Sequence, residues 1–210
     1  IEMAKRHGVP TLVDAAAERP DVPNHYIEAG CDLVTYSGGK CICGPNNTGL
    51  LIGRKDLVDA AVGGATPSAS MGRSMKVGKE CIMGLLAAVD LWVNVRDHDA
   101  EWKEWLRKLD YMSKKIKQVP TVKTEVVQPG RLSNYTPCMT VTWNQKTVKL
   151  TAAELSQKLL EGEPRVGVST RKGDEFRSSG EWVSINPYMM ETGEEVPAAQ
   201  KFYDVMSNAI

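Results

Sequence analysis

The chain has 210 residues, of which 42% are hydrophobic and 25% charged, a composition typical of a soluble globular protein with one large or two small domains. The net charge is zero, so no overall field draws the chain to nucleic acid or to an anionic membrane. No apolar run approaches the roughly 20 residues that span a bilayer. The five cysteines lack the spacing of a zinc site, and we expect reduced thiols and no bound metal.

The first predicted elements are a helix over residues 1–7 and a short buried strand over residues 11–13, which leads to Asp14. Two interpretations of Asp14 are open. It caps a helix that begins at Ala15, as aspartate often does, or it faces a ligand beyond the carboxyl end of a parallel strand.

A second buried strand is predicted over residues 32–36, after a short helix over residues 25–29. Strand, helix and strand form a β-α-β unit, so polar groups that follow the two strands emerge at the same edge of one sheet. Asp14 and Lys40 are two such groups.

The segment after the second strand reads Ser37-Gly-Gly-Lys40, and a bend at Gly44-Pro45 turns the chain back into a strand over residues 48–52. Glycines allow the backbone near Lys40 to approach a planar ligand closely. Burial at the end of a strand would lower the pKa of the lysine toward the neutral amine that attacks carbonyl groups. The alternative is a solvated lysine in a surface turn.

An aspartate and a lysine on adjacent strand ends are what pyridoxal phosphate requires, and here the chain resembles the fold-type I family of pyridoxal-phosphate enzymes. Asp14-Ala-Ala16 resembles the Asp-x-Ala element, Ser37-Gly-Gly-Lys40 resembles the Ser-x-x-Lys element, and residues 44–49 resemble the Gly-Pro turn that follows. Within this family the sequence is most similar to the selenocysteine synthase-like branch, which includes the D-glucosaminate-6-phosphate ammonia-lyases.

The resemblance implies a role for each of these residues. Lys40 would form the Schiff base with pyridoxal 5'-phosphate and act as general base, and Asp14 would keep the pyridine nitrogen protonated. Ala16 would pack against the cofactor ring, and Ser37 would also contact the cofactor. The implied fold is α/β, the C-terminal part of a fold-type I large domain with a mostly parallel sheet. We expect a further large segment before residue 1, carrying the phosphate loop and the stacking aromatic.

The sequence also departs from the family pattern. Gly39 stands where cysteine desulfurases and related class V enzymes carry a histidine, which weighs against that branch. Asn46 and Asn47 follow the Gly-Pro turn where Gly-Pro-Gln is expected, and Ala17 occupies a position where some relatives place a donor to the ring oxygen.

A helix over residues 57–62 is followed by a Gly/Ser/Pro-rich segment over residues 63–72, which is typical of an exposed, mobile loop. Arg73 and Lys76 come directly after it. They are either ordinary solvated charges or the site of an anionic substrate group, for which relatives place basic residues here.

Two long helices follow, over residues 77–95 and 100–119, each with an apolar stripe that predicts burial, and Asp97 is suited to cap the second. The remaining pattern predicts a small α+β domain with an antiparallel sheet. Its predicted elements are strands over residues 122–127 and 138–143, a helix over residues 152–160 with a Thr151–Glu154 capping box, strands over residues 165–169 and 181–185, and a helix from residue 194 to 206. We therefore divide the chain into residues 1–98, the remainder of the large domain, and residues 99–210, a linker helix and the small domain.

Three arginines of the second part, Arg165, Arg171 and Arg177, either bind a substrate carboxylate or are surface charges, and we favour surface charge for each. The leading functional hypothesis is a pyridoxal-phosphate lyase or transferase that acts on an amino acid or a phosphorylated amino sugar acid. The alternatives are a class V-type aminotransferase or desulfurase and an inactive scaffold. We expect a cytoplasmic homodimer or higher homo-oligomer with a small-molecule amino substrate, without nucleic-acid or membrane partners.

Overall fold

The computed structural model describes residues 1–129, 136–171 and 181–210. The described chain divides into two compact units, which we call the N-terminal unit (residues 1–96) and the C-terminal unit (the described residues from 97 onward). The N-terminal unit contains α1 (Glu2–Arg6), β1 (Leu12–Asp14), α2 (His25–Glu28), β2 (Leu33–Ser37), β3 (Gly49–Gly53), α3 (Lys55–Gly63), a 3-10 helix (Met71–Met75) and α4 (Lys79–Asn94).

The sheet of the N-terminal unit has the order β1-β2-β3. Strands β1 and β2 are parallel and place Asp14 opposite Thr35, as the β-α-β spacing predicts. Strand β3 is antiparallel to β2, since the Gly44-Pro45 bend returns the chain along the strand it has just left. The described part of this sheet is therefore mixed rather than mostly parallel.

One face of this sheet forms the core of the N-terminal unit. Val34 and Tyr36 of β2 are almost fully buried and pack with Leu50 and Ile52 of β3, which lie opposite them in the register. Side chains of a strand alternate between faces, so Asp14, Thr35 and Ser37 belong to the other face.

Helix α4 is less buried than its apolar stripe predicts. Within the described part of the chain, Ala88 and Trp92 are the only buried residues of α4, whereas Ile82 is 48% exposed and Leu86 57% exposed. The described chain covers only part of the apolar surface of α4. The expectation that the whole apolar stripe is buried is therefore wrong.

The C-terminal unit contains α5 (His98–Ile116), β4 (Lys123–Val127), β5 (Cys138–Thr142), α6 (Ala152–Leu160), β6 (Ser169–Arg171), β7 (Trp182–Ile185) and α7 (Glu195–Ser207). Its sheet has the order β4-β5-β7-β6 with every pair antiparallel. Asp97 caps α5 by accepting from Ala100 N–H, and Thr151 and Glu154 form the predicted capping box of α6. An α+β arrangement follows, as the sequence predicts.

The strand predicted over residues 165–169 is wrong, because β6 begins only at Ser169. Val166 and Val168 are instead partly buried against the core, and Val166 N–H donates to Leu159 O at 2.8 Å. Their alternation reflects a loop that packs beside α6. The core itself lies between one face of the sheet and the helices, with Leu109, Met139 and Phe202 fully buried.

Candidate functional site

The turn after β1 holds Asp14 without a helix. Residues 15–18 form a turn in which Glu18 N–H donates to Ala15 O at 2.9 Å, and the Asp14 carboxylate accepts from Ala16 N–H at 3.0 Å. The interpretation of Asp14 as the cap of a helix from Ala15 is therefore wrong. The side chain is exposed at the carboxyl end of β1.

The segment from Asp14 to Ala17 is joined to the segment from Ser37 to Cys41 by hydrogen bonds. Ser37 N–H donates to Ala16 O at 3.3 Å, and the Cys41 thiol donates to Ala17 O at 3.3 Å. The parallel ladder continues between the two segments, since Ala15 N–H donates to Thr35 O at 2.9 Å. The backbones that carry Asp14, Ala16, Ser37 and Lys40 thus meet at one edge of the sheet.

The turn that presents Lys40 is closed by backbone hydrogen bonds. Gly38 N–H donates to Thr48 O at 2.9 Å, Gly44 N–H donates to Gly38 O at 2.6 Å, and Cys43 N–H donates to Lys40 O at 2.9 Å. A Cβ atom on Gly39 would lie 2.6 Å from Asn46 Cα, so the turn has no room for a side chain there. Glycine at this position is a requirement of close packing.

Lys40 itself is exposed in the described chain. The expectation that Lys40 is desolvated at the end of a buried strand is therefore wrong in the described structure, because Lys40 lies beyond the strand, in the turn. Its amine projects from a backbone that is tightly hydrogen-bonded, with the small residues Gly38 and Gly39 beside it.

Helix α4 packs against the Lys40 turn. A Cβ atom on Gly84 would lie 2.8 Å from Pro45 Cγ, and one on Gly44 would lie 3.2 and 3.3 Å from the side chains of Leu85 and Ala88. Gly84 and Ala88 are one helical turn apart, so a single narrow face of α4 seats the Gly-Pro bend.

The other predicted site residues lie outside this junction in the sequence. Arg73 belongs to the 3-10 helix and donates to Pro67 O at 3.3 Å, and Lys76 follows that helix; both are exposed. Arg165 is exposed and lies 4.0 Å from Glu163. Arg171 ends β6, and Arg177 lies outside the described residues.

Sequence reasoning missed a polar cluster beneath the Asp14 turn. The Tyr26 hydroxyl donates to Glu18 at 2.6 Å, which ties the turn to α2, and Asn24 donates to the Tyr36 hydroxyl at 2.6 Å. Burial and the bond to Glu18 raise the pKa of Tyr26 well above its ordinary value. No spacing rule connects these residues, since α2 brings them together only after folding.

Residues 1–173 match the family described as aminotransferase class V. The chain belongs to this family. Membership indicates pyridoxal phosphate as the cofactor and confirms the resemblance to fold-type I enzymes. Gly39 weighed against class V in the sequence, since a histidine was expected there, but the family match shows that glycine at this position is compatible with class V.

Two curated relatives share parts of the sequence. The 5'-C-glycyluridine monooxygenase-decarboxylase of a Streptomyces species is 31% identical over 168 residues, which are 79% of this chain and 40% of that protein. The D-glucosaminate-6-phosphate ammonia lyase of Salmonella typhimurium is 34% identical over 90 residues, 43% of this chain and 23% of that protein. The chain therefore spans less than half the length of these relatives.

Solved structures agree on the fold. A D-glucosaminate-6-phosphate ammonia-lyase matches with a TM-score of 0.71 at 22% identity, over 100% of this chain and 52% of that one. A structure of SPT with PLP matches with a TM-score of 0.55 at 15% identity, over 100% of this chain and 50% of that one. The predicted α/β class, part of a fold-type I large domain followed by an α+β part, is confirmed.

Among residues 1–129, 136–171 and 181–210, no group of three or more His, Cys, Asp or Glu side chains is placed to hold a metal ion. In the same ranges, no helix has both the length and the apolar character needed to cross a membrane.

Proposed function

We propose that the protein containing this chain is a pyridoxal-phosphate lyase or transferase in which Lys40 holds the cofactor covalently. The observation that carries the proposal is the junction of the Asp14 and Lys40 segments at one sheet edge, made by the Ser37–Ala16 and Cys41–Ala17 hydrogen bonds. Ligands of parallel α/β sheets bind beyond such strand ends.

The residues at the junction fit this cofactor. The exposed carboxylate of Asp14 uses one oxygen, Oδ1, for the bond to Ala16 N–H, and its Oδ2 has no hydrogen-bond partner among the described residues. Ala16 presents a single methyl group, and Gly38 and Gly39 place no side chain beside Lys40. An acid partner, an amine and small neighbours are the set that a pyridine aldehyde requires.

When bound, pyridoxal phosphate supplies an aldehyde carbon that condenses with amines and a protonated ring that accepts electron density from Cα. Lys40 Nζ would bond to that carbon and, once released by the substrate amine, take the proton from Cα. Asp14 would hold the proton at the pyridine nitrogen, and Ala16 and Ser37 would contact the ring and its substituents. Elimination of a β-substituent followed by hydrolysis would yield ammonia and a 2-keto acid.

The substrate class in this proposal is an amino acid or a phosphorylated amino sugar acid with an anionic group. Arg73 and Lys76 lie three residues apart and are both exposed, so they are available to pair with such a group. The similarity to the Salmonella typhimurium D-glucosaminate-6-phosphate ammonia lyase supports the choice of substrate and of ammonia release.

The second candidate is a class V-type aminotransferase or desulfurase. It is favoured by the family itself and by a probable cysteine desulfurase of Halalkalibacterium halodurans, which is 43% identical over 54 residues, 26% of this chain and 13% of that protein. Both candidates use Lys40 and Asp14 in the same way and differ only in the fate of the substrate.

Residues 1–98 would then be the remainder of the cofactor-binding domain, and residues 99–210 the linker helix and small domain. We also propose a cytoplasmic homodimer or higher homo-oligomer. The exposed apolar residues of the 3-10 helix and α4, such as Met71 at 92% and Met83 at 64% exposure, support an assembly that covers them. Light scattering on the purified protein measures the oligomeric state.

The test of the proposal compares Lys40→Ala with Lys55→Ala in the protein with its full natural chain. Lys55 is a matched control because it is an exposed lysine in an ordinary i,i+4 ion pair with Asp59. The Schiff-base absorbance, and the label left by borohydride reduction, should disappear in Lys40→Ala and persist in Lys55→Ala. A wild-type protein without the label, or a label on another lysine, would contradict the proposal and favour an inactive scaffold.

Two assays then separate the candidates. Ammonia release from phosphorylated amino sugar acids indicates a lyase, and amino transfer to a 2-keto acid or sulfide release from cysteine indicates the alternative. Loss of the anionic group from the substrate should raise KM if Arg73 and Lys76 bind it, and Arg73→Ala should produce the same rise.

A further inference from the structure

Two residues at the carboxyl end of α4 form a stacked pair. Trp92 is buried in the last turn of the helix at 6% exposure, and Arg96 follows the helix with its N–H donated to Leu91 O at 2.9 Å. The Arg96 guanidinium carbon lies 4.6 Å from the centroid of the Trp92 ring. This separation is within the range of a cation–π interaction, so each side chain restrains the other.

Trp92 binds the segment that carries Asp14, and Arg96 binds the turn that carries Lys40. Trp92 Nε1 donates to Pro20 O at 3.1 Å in a buried bond, and Pro20 closes the segment that begins at Asp14. Arg96 Nη1 donates to Cys41 O at 3.1 Å, the carbonyl of the residue after Lys40. The stacked pair thus bridges the Asp14 segment to the Lys40 turn on a path separate from the sheet.

The Lys40 turn has a backbone that needs such support. Cys43 has a φ of 62°, in the left-handed region that residues with a Cβ seldom adopt. Arg96 Nη1 also lies 3.8 Å from Cys43 Sγ, so the same guanidinium contacts the turn at Cys41 and at the strained residue itself. Strain of this kind persists only where surrounding contacts fix the conformation.

We propose that Arg96 and Trp92 are positioning residues that set the placement of Lys40 relative to Asp14. The inference rests on the proposed function, because it concerns the same lysine. Arg96 acts through the carbonyl of Cys41: the bond fixes the Cys41–Ile42 peptide, one residue beyond Lys40, and through it the direction in which the Lys40 side chain leaves the turn. Trp92 holds the guanidinium in place and anchors the opposite segment at Pro20.

The expected effects follow from the loss of a charge-assisted hydrogen bond. Arg96→Ala should increase the rate of hydrogen exchange at the Cys43 and Gly44 amides by about fivefold to tenfold in the cofactor-free protein. This increase corresponds to the loss of a hydrogen bond that contributes roughly one kcal/mol. Arg96→Lys keeps a cation and a donor but not the planar fork, and should restore part of the protection. Trp92→Phe keeps a ring but loses the bond to Pro20, and should increase exchange at the Glu18 amide.

The matched control is Arg54→Ala. Arg54 pairs with Asp32 and Asp56 in the same unit, and its removal should lower stability without touching the Lys40 turn. The experiment measures amide exchange without cofactor and, separately, the pyridoxal-phosphate concentration at which half of Lys40 is trapped by borohydride. Arg96→Ala should raise that concentration by about tenfold, and Arg54→Ala should leave it within about twofold.

The two proposals fail differently. If wild-type protein shows no trapping at Lys40, the proposed function is wrong, and amide exchange still decides whether Arg96 holds the turn. If wild type traps cofactor but Arg96→Ala matches it in both measurements, the positioning role is wrong. Equal losses in Arg96→Ala and Arg54→Ala also overturn it, since they would show a general loss of stability. An effect in Arg96→Ala that Arg96→Lys partly reverses supports it.

Discussion

The N–H of Ser37 donates to the carbonyl oxygen of Ala16 at 3.3 Å. These residues belong to the two short motifs that the sequence offers, and they are 21 positions apart. The bond extends the parallel β1–β2 ladder past the end of β1, to the last residue of β2. Asp14 and Lys40 are therefore carried on segments that hydrogen-bond to one another.

Asp14→Asn should leave the fold intact, because an asparagine oxygen can still accept from Ala16 N–H in the same turn. It cannot supply the negative charge that holds a proton at a pyridine nitrogen. We expect cofactor binding to persist and kcat to fall by about a hundredfold, the usual scale for loss of one electrostatic partner. Steady-state kinetics with the cofactor occupancy measured in parallel tests this.

Asp21→Asn is the control, since Asp21 lies in the same segment and pairs with Arg19 rather than with the site. Equal kcat values for Asp14→Asn and wild type at equal occupancy would remove Asp14 from the proposed chemistry.

Gly39→Ala should destabilise the protein by about 1–3 kcal/mol, the usual cost of overpacking. The added Cβ would lie 2.6 Å from Asn46 Cα, a backbone atom that cannot move without opening the turn. Gly63→Ala is the matched control, because a Cβ there meets no atom within 4 Å and alanine favours the end of α3. Urea unfolding measures both, and a Gly39→Ala protein as stable as Gly63→Ala would show that the turn is looser than described.

Asp32→Asn should change how the free energy of unfolding depends on pH. The backbone N–H of Thr11, the Arg54 guanidinium and the Thr11 hydroxyl lower the pKa of Asp32 from 3.8 to about 2. A carboxyl group whose pKa is lower in the folded than in the unfolded protein stabilises the fold. This stabilisation is complete above the pKa of the unfolded state and is lost as the pH falls through the pKa of the folded state. Wild type should therefore lose this contribution between about pH 4 and pH 2, whereas Asp32→Asn should lack it throughout. Thermal melts across this interval test it, and parallel curves would contradict the assignment.

Arg107→Ala should destabilise the C-terminal unit by about 1–3 kcal/mol, because it leaves a buried carboxylate short of a partner. Glu195 is 3% exposed, and its Oε1 lies 2.6 Å from Arg107 Nη2. Arg165→Ala is the control, since Arg165 and Glu163 are both exposed and 4.0 Å apart, and such surface pairs contribute little. Denaturant unfolding compares the two, and equal midpoints would rule out a structural role for the Arg107–Glu195 pair.

The sequence by itself determined the family, the cofactor and the order of elements. Asp14-Ala-Ala16 and Ser37-Gly-Gly-Lys40 carry the resemblance to the family, and they can be read from the sequence because each motif is a short run of neighbouring residues. The capping box at Thr151 and Glu154 and the cap at Asp97 were readable for the same reason, since their partners lie within three residues.

Only the tertiary structure decided the contacts between distant residues. In the structure Asp14 lies in a turn and does not cap a helix, most of the apolar circumference of α4 is exposed, and β6 begins after Val168. It also brought Trp92 to Pro20 across 72 positions and Arg96 to Cys41 across 55. Spacing rules cover neighbours along a helix or strand, whereas these bonds depend on which faces meet when the elements pack, and that is set by the whole unit.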